Sequence, residues 1–338
     1  MAPAKTFHPL MEDTEHDYHC LCHGDGVREI LDGLCSRFYS MGAGRSRSGR
    51  AVEVGALVIR DIMRTWRHLG VIEPDLVLTC GNAGDVRKAI AASRLRGIGV
   101  LHVEQDIYNP IEMIAFADIV TAPSGRYRDY LEDQYLLENV EVIGGYPHAL
   151  YVSRLQIVDP GIRDYTLLVL GGDLRRRDIP EVISGVEALD RRVLVVPFRF
   201  SPDYVRSFVK SGNVEVLEGF VDLPSLMSAA DLMVYGAGMG ITIEAAVLGV
   251  PSIKIKGFHG RHASVDLAGE VGIPVADAGD LRDVVDDVRP PAASDIVRNA
   301  EAALSKLSEL VEDFNEFAGP RGGFKSMKRI WDARKHFR

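Results

Sequence analysis

Short apolar runs alternate with amphipathic stretches along most of this chain. In the first half, apolar runs predict strands at residues 18–24 (YHCLCHG), 75–81 (DLVLTCG), 98–105 (IGVLHVEQ), 118–123 (DIVTAP) and 140–145 (VEVIGG). Helical periodicity between them predicts helices over about Val27–Phe38, Ala51–Leu69 and Asp85–Arg96, after Pro110, and from Gly125. This alternation is typical of βαβ units that build a parallel sheet.

The second half repeats the alternation. Its predicted strands are 166–172 (TLLVLGG), 192–198 (RVLVVPF), 214–220 (VEVLEGF), 231–236 (DLMVYG), 251–255 (PSIKI) and 273–277 (IPVAD). A long helix is predicted over about Ser294–Phe317, and another from about Phe324, beyond the Gly319-Pro320 break. Residues 147–160 are weakly periodic and are interpreted as an interdomain connection. We therefore expect two tandem Rossmann-like, doubly wound α/β domains at 1–150 and 151–290, with C-terminal helices over 291–338 packing back across them.

Composition narrows the class of protein. The 338 residues are 46% hydrophobic and 26% charged, as in ordinary globular proteins, and the net charge of −9 argues against a nucleic-acid-binding surface. No apolar run approaches the roughly 20 residues that span a bilayer, and the first 19 residues lack the apolar core of a signal peptide. Four cysteines in this length predict no disulfide framework, so a cytoplasmic location is expected. Basic residues over 325–335 leave peripheral membrane contact open.

Two histidines and two cysteines lie together near the start, at His19, Cys20, Cys22 and His23. On a strand these side chains alternate between opposite faces, and the chain offers no second CxxC partner. We therefore expect no metal site here.

The segment 231–255 carries the richest chemistry. Its strand runs into a glycine-rich turn that includes Gly238, Met239 and Gly240, and a helix follows from about residue 241. Glycines allow a ligand to approach the backbone closely, and the helix N-terminus suits a diphosphate. Thr242 would add a hydroxyl donor. A nicotinamide-dinucleotide fingerprint does not fit, because the spacing is GxGxG and no acidic residue stands about 20 residues further on.

This segment resembles the donor-binding segment of glycosyltransferase-B (GT-B) enzymes. It is similar to the N-acetylglucosaminyltransferases that make the lipid-linked peptidoglycan disaccharide, and to their relatives in archaea and bacteria. The resemblance implies a GT-B fold, a nucleotide-sugar donor, and a role for Glu244 in holding the nucleotide ribose. The alternative interpretation makes Glu244 an exposed helix glutamate that is favoured by the helix dipole.

Three further segments agree with the resemblance. It implies that Gly171 and Gly172, after the first strand of the second domain, bring backbone N–H groups to the diphosphate. It also implies that the loop containing Phe220 and Val221 packs on the base.

The third segment follows the 251–255 strand. There the resemblance implies that Arg261 or His262 approaches the donor sugar and phosphates. At the start of the chain, by contrast, the family's glycine-rich loop with a catalytic histidine has no counterpart. The first domain is therefore expected to be shortened.

The first domain offers one candidate for acceptor chemistry, in the run 101–110 (LHVEQDIYNP). His102, Glu104 and Asp106 would share one face at the carboxyl end of a strand, and Glu104 or Asp106 could act as the general base. His102-Val103-Glu104 is also similar to a short run in the non-hydrolysing UDP-N-acetylglucosamine 2-epimerases. The alternative interpretation makes His102 a core histidine and Asp106 a helix cap.

These observations predict a glycosyltransferase that moves a sugar, N-acetylglucosamine being one candidate, from a UDP-sugar co-substrate. The scheme requires no metal and no other cofactor, and no nucleic-acid partner is expected. The acceptor, lipid-linked or a small metabolite, and a homodimeric state stay open. The alternatives are an epimerase-like isomerase of the same fold and a non-catalytic nucleotide-binding or scaffold protein.

Overall fold

A computed structural model of the chain describes residues 2–23, 26–41, 51–82, 84–219, 221–257 and 261–335. Within this range the chain forms two compact units. Unit 1 comprises Met1–Tyr151 and Asn299–Arg338, and unit 2 comprises Val152–Arg298. Both units contain parallel sheets flanked in sequence by helices, which confirms the predicted α/β class.

Unit 1 contains two separate parallel sheets. Its elements are α1 (Ala2–Asp13), β1 (His19–Cys22), α2 (Gly26–Leu31), β2 (Arg37–Ser40), α3 (Ala51–Ile72), β3 (Leu76–Cys80), α4 (Gly84–Arg96), β4 (Gly99–Val103), β5 (Ile119–Ala122), α5 (Gly125–Tyr135), β6 (Val140–Val142) and α6 (His148–Ser153). The main sheet has the order β3-β4-β5-β6, and β1 pairs with β2 alone. β5 is buried along its whole length, which places the core of this unit at the centre of the main sheet.

Unit 2 is a doubly wound domain. Its elements are β7 (Thr166–Leu170), α7 (Ile179–Glu187), β8 (Val193–Val196), α8 (Pro202–Arg206), β9 (Val214–Val216), α9 (Leu223–Ala229), β10 (Leu232–Gly236), α10 (Met239–Val247), β11 (Ser252–Ile255), α11 (Ala263–Glu270), β12 (Val275–Ala276) and α12 (Leu281–Val284). All neighbouring strands are parallel, in the order β12-β11-β10-β7-β8-β9. From β7 the chain adds β8 and β9 on one side of that strand, and it then adds β10, β11 and β12 on the other side.

Three helices complete the chain: α13 (Ala293–Glu312), α14 (Phe314–Phe317) and α15 (Gly323–Lys335). α15 packs on unit 1. The rings of Phe324 and Phe116 meet edge to face at 5.3 Å, and the Arg334 guanidinium donates to the carbonyl of Pro110 at 2.6 Å. The Ser326 hydroxyl donates to a carbonyl at the end of α5. These contacts explain why the chain's last segment belongs to the first unit.

The helix predicted over Val27–Phe38 is wrong in its second half. α2 ends at Leu31, and residues 37–40 form β2 beside β1. Gly33, with φ of +77°, adopts the left-handed conformation that commonly terminates helices. Apolar residues after Gly33 continue the helical spacing in the sequence, but the helix itself ends before them.

Smaller differences occur at other element ends. The helix predicted over Ser294–Phe317 is interrupted at Asp313, which separates α13 from α14. The segment 147–160 contains α6, and the N-terminal helix α1 had no counterpart in the prediction. α1 is held by the burial of Leu10 and Met11.

Candidate functional site

The topology of unit 2 marks one position for a ligand. β7 and β10 lie side by side, and the chain leaves them in opposite directions across the sheet. In open parallel sheets, ligands bind beyond the carboxyl ends of the strands at this switch point. The glycine-rich segments 171–172 and 236–238 lie at these two strand ends, so the structure brings together the two turns that the sequence singled out.

The two turns approach so closely that side chains do not fit between them. A Cβ atom on Gly171 would lie 2.4 Å from the Cβ of Ala237, and one on Gly236 would lie 2.3 Å from the Leu174 side chain. Gly172, in contrast, is exposed, and a Cβ added to it would have no heavy atom within 4 Å. Gly171 therefore serves loop packing, whereas Gly172 leaves its backbone open to solvent.

α10 begins directly at this position. Gly238 is its N-cap residue, in an extended conformation, and no side chain in the described part of the chain caps the helix there. The preceding helix α9 differs, because the Asp222 carboxylate accepts from the amide of Ser225. The first N–H groups of a helix have no acceptor within it and carry partial positive charge. At Gly238, Met239 and Gly240 they form a candidate anion site.

The predicted ligand role of the Thr242 hydroxyl is not supported by its position. Thr242 is fully buried, and its Oγ1 accepts from the Tyr235 hydroxyl at 3.2 Å and donates to the Gly238 carbonyl at 3.4 Å. The hydroxyl thus braces the first turn of α10 from inside. The sequence placed it in the correct turn but did not reveal which way it faces.

A buried charged cluster beneath the turns was missed in the sequence. Lys254, on β11 and with 0% exposure, donates to Asp173 Oδ2 at 2.9 Å and to the carbonyl of Ala237 at 2.8 Å. Ser264 donates to the same carboxylate oxygen at 3.1 Å, and His262 Nδ1 lies 4.0 Å from Asp173 Oδ1. An isolated lysine in the apolar run PSIKI was the available signal, since a buried lysine requires a partner.

The cluster changes the ionisation of its members. Burial by itself would raise the pKa of Asp173, but the charges of Lys254 and His262 and the hydrogen bonds from Lys254 and Ser264 hold it below its ordinary value. Burial lowers the pKa of His262, with a smaller opposing effect from Asp173. At neutral pH Asp173 is therefore charged.

The remaining predicted donor-side residues differ in their surroundings. Glu244 is only 3% exposed, which removes the interpretation as a solvated helix residue. Val221 is half-buried beyond β9, next to Gly219, whose φ of +75° favours glycine. Arg261 is exposed ahead of α11, and Phe220 lies outside the described residues.

Unit 1 brings two of its three predicted residues into direct contact. His102 is fully buried, with Nδ1 2.9 Å from Thr79 Oγ1 and Nε2 3.2 Å from Glu104 Oε2. Glu104 Oε1 accepts from the backbone amides of Gln105 and Asp106 at 2.9 and 2.8 Å. Both carboxylate oxygens of Glu104 are therefore engaged within the chain, and its side chain is closed to solvent.

Asp106 is the more accessible carboxylate of this group. β4 ends at Val103, so the single strand face predicted for all three residues does not reach Asp106. Its Oδ2 accepts from Asn82 Nδ2 at 2.8 Å, which joins it to the loop after β3. Asp106 is not the N-cap of the next helical turn, which begins at Glu112 with Ile111 as its N-cap. It is half-buried at the carboxyl edge of the main sheet.

Over the described residues, no group of three or more His, Cys, Asp or Glu side chains is arranged to hold a metal ion. In the same part of the chain, every helix is too short or too polar to cross a bilayer.

Comparison with known sequences gives one curated relative of interest. The chain is 27% identical over 294 residues to the UDP-N-acetylglucosamine–N-acetylmuramyl-(pentapeptide) pyrophosphoryl-undecaprenol N-acetylglucosamine transferase of Thermus thermophilus. The match covers 79% of this chain and 82% of the relative. No protein-family model matches the sequence.

Comparison with solved structures identifies the fold. A UDP-N-acetylglucosamine 2-epimerase from Rickettsia bellii matches with a TM-score of 0.68 at 15% identity, over 94% of this chain and 95% of that one. The epimerase of Methanocaldococcus jannaschii, solved with UDP-GlcNAc and UDP, matches at 0.63 and 17%, over 99% and 97%. MurG of Acinetobacter baumannii matches at 0.51 and 15%, over 91% and 94%. The chain has the GT-B fold, and the sequence resemblance to MurG-like enzymes is confirmed.

Proposed function

We propose that this protein is a glycosyltransferase that binds a UDP-sugar at the switch point of unit 2 and transfers the sugar to an acceptor hydroxyl. The observation that carries the proposal is the N-terminus of α10, which no described side chain caps and which lies beside two closely packed glycine turns, where a diphosphate would be bound by backbone N–H groups. The similarity to the Thermus thermophilus transferase supports N-acetylglucosamine as the sugar.

The other parts of the nucleotide can be assigned to neighbouring segments of this unit. Glu244 stands five residues after Met239, about 7.5 Å further along α10, a separation suited to a ribose next to the diphosphate. β9, whose following loop contains Val221, is two strands from β7, or about 10 Å across the sheet. A uridine extending from α10 toward that loop would put its base there.

The proposed reaction is a single displacement at the anomeric carbon. The bond from that carbon to the diphosphate oxygen breaks, and a bond to the acceptor oxygen forms. The N–H groups of Gly238, Met239 and Gly240 stabilise the charge on the departing diphosphate. We assign the acceptor proton to Asp106, because Glu104 already has both oxygens engaged. The scheme uses no metal ion.

Epimerisation at C2 of UDP-N-acetylglucosamine is the second candidate. The high similarity in fold to several 2-epimerases favours it, together with the His102-Val103-Glu104 run. An epimerase needs no acceptor, whereas a transferase does. The two candidates therefore differ in what the enzyme does with the donor alone.

The test is incubation of the full chain with UDP-N-acetylglucosamine alone in deuterium oxide, followed by NMR. The transferase proposal predicts no C2 epimer and no deuterium at C2. Appearance of UDP-N-acetylmannosamine, or of deuterium at C2, would replace the transferase with the epimerase. Addition of extracted membrane lipids or of soluble metabolite fractions should then release UDP, and an Asp106→Asn variant should release at least about 100-fold less.

A further inference from the structure

Three strands of unit 2 are joined beneath the candidate diphosphate site by one side chain. Lys254 extends from β11, and its ammonium contacts the Asp173 carboxylate after β7 and the Ala237 carbonyl after β10. The ring of Tyr235 lies 5.2 Å from the same ammonium. Lys254 has no exposed surface, so its ammonium contacts the neighbouring loops and does not reach solvent.

The contact with Ala237 sets the direction of a backbone donor. In a trans peptide the C=O and N–H groups point in opposite directions, and the Ala237 carbonyl shares its peptide unit with the Gly238 amide. Since Lys254 draws that carbonyl inward, the Gly238 N–H points away from Lys254. Gly238 is the N-cap of α10, where the anion site begins.

Asp173 holds the lysine in this position and lies under the same turn. Its carboxylate is bound by Lys254 and Ser264, and Oδ1 lies 3.5 Å from where a Cβ on Gly238 would stand. A buried ion pair contributes little net stability compared with apolar residues of similar size. The presence of this pair is therefore weak evidence for a stabilising role.

We propose that Lys254 and Asp173 are positioning residues for the diphosphate of the bound nucleotide. They fix the Gly238 peptide and the spacing of the two glycine turns, so that the N–H groups are aligned before the ligand arrives. This inference rests on the proposed function, since it concerns the same site. It predicts that the pair governs recognition of the phosphates and has no part in recognition of the uridine.

The test compares UDP with uridine on the full chain, with affinities measured by calorimetry and ligand-observed NMR. The variants are Lys254→Met, Asp173→Asn and the double variant, which leaves no unpaired buried charge and should therefore fold. The control is the exposed pair of the same unit, Asp159 and Arg163, replaced as Asp159→Asn/Arg163→Met. Thermal unfolding checks each protein.

The double variant decides the question. We expect its affinity for UDP to fall by about tenfold or more, while its affinity for uridine changes by less than about twofold and its fold is retained. The control should match the wild type with both ligands. If the folded double variant keeps the UDP affinity of the wild type, or loses UDP and uridine equally, the positioning role is refuted while the donor site stands. If the wild type itself shows no preference for UDP over uridine, the proposed donor site fails and this inference fails with it.

Discussion

Glu104 Oε2 lies 3.2 Å from the imidazole of His102, and its other oxygen accepts two backbone N–H groups. The Glu104 carboxylate therefore fixes the conformation of the backbone that follows β4. Asp106, two residues further on, has its amide bound by Glu104 and its own carboxylate at the edge of the sheet. The two acids that the sequence could not separate therefore have different surroundings in the structure.

Substitution of these two acids should separate stability from activity. Glu104→Gln is expected to lower the free energy of unfolding by about 1–3 kcal/mol, because an amide group cannot reproduce all the contacts of the buried carboxylate. Asp106→Asn should leave stability within about 0.5 kcal/mol and lower turnover by at least about 100-fold. Denaturant unfolding and UDP release measure the two effects. An active Asp106→Asn enzyme would remove Asp106 from the mechanism.

The close approach of the glycine turns predicts a selective loss of binding in Gly171→Ala. The new Cβ would stand 2.4 Å from that of Ala237, so the turns must move apart. We expect UDP affinity to fall by about tenfold, since the backbone donors lose their alignment. Gly212→Ala is the matched control, because no atom lies within 4 Å of its Cβ position and its φ is not positive. Equal affinities in the two variants would contradict the packing argument.

Unit 2 should lose stability in acid through Asp173. Burial would raise the pKa of this group, but Lys254, His262 and Ser264 together hold it below the unfolded value. A depressed pKa stabilises the folded state at pH values above about 3.9, and this contribution is lost as the pH falls through the folded pKa. In Asp173→Asn this part of the acid dependence should be absent. The midpoint of thermal unfolding from pH about 6 to about 2 provides the measurement, and identical profiles would contradict it.

Unit 1 contains its own buried ion pair, 2.9 Å between Lys88 Nζ and Asp61 Oδ2, with both residues 4% exposed. Lys88→Met leaves the Asp61 charge buried beside its exposed neighbour Arg60, and should cost about 3–5 kcal/mol of stability. The exposed pair of Lys335 with Asp332 is the control, and Lys335→Met should cost less than about 1 kcal/mol. A similar small cost for both would mean that water reaches Asp61.

The sequence predicted unit 2 well because its strands are short apolar runs ended by glycine or proline. Gly171, Gly238 and Gly240 were identifiable as candidates because each lies in a single strand–helix turn that is continuous in the sequence. The pair of Asp173 and Lys254 was not, because 81 residues separate them and only the strand order brings them together.

The directions in which individual side chains face could not be predicted from the sequence either. Thr242 was placed in the correct turn, but the rotation of α10 about its axis, which buries the hydroxyl, depends on packing against Tyr235. For Glu104, the pattern could not show that the chain turns back to bind its carboxylate with backbone amides. In the N-terminal part, the left-handed conformation of Gly33 ended a helix that the apolar pattern continued.

The proposed donor site places a UDP-sugar in unit 2 at the switch point between β7 and β10. Amide hydrogen exchange of the full chain, with and without saturating UDP, tests it most directly. We expect slowed exchange at residues 171–174, at the start of α10 and in the loop after β9, with unit 1 unchanged. Slowed exchange in unit 1 alone, or no change anywhere at saturating UDP, would contradict it.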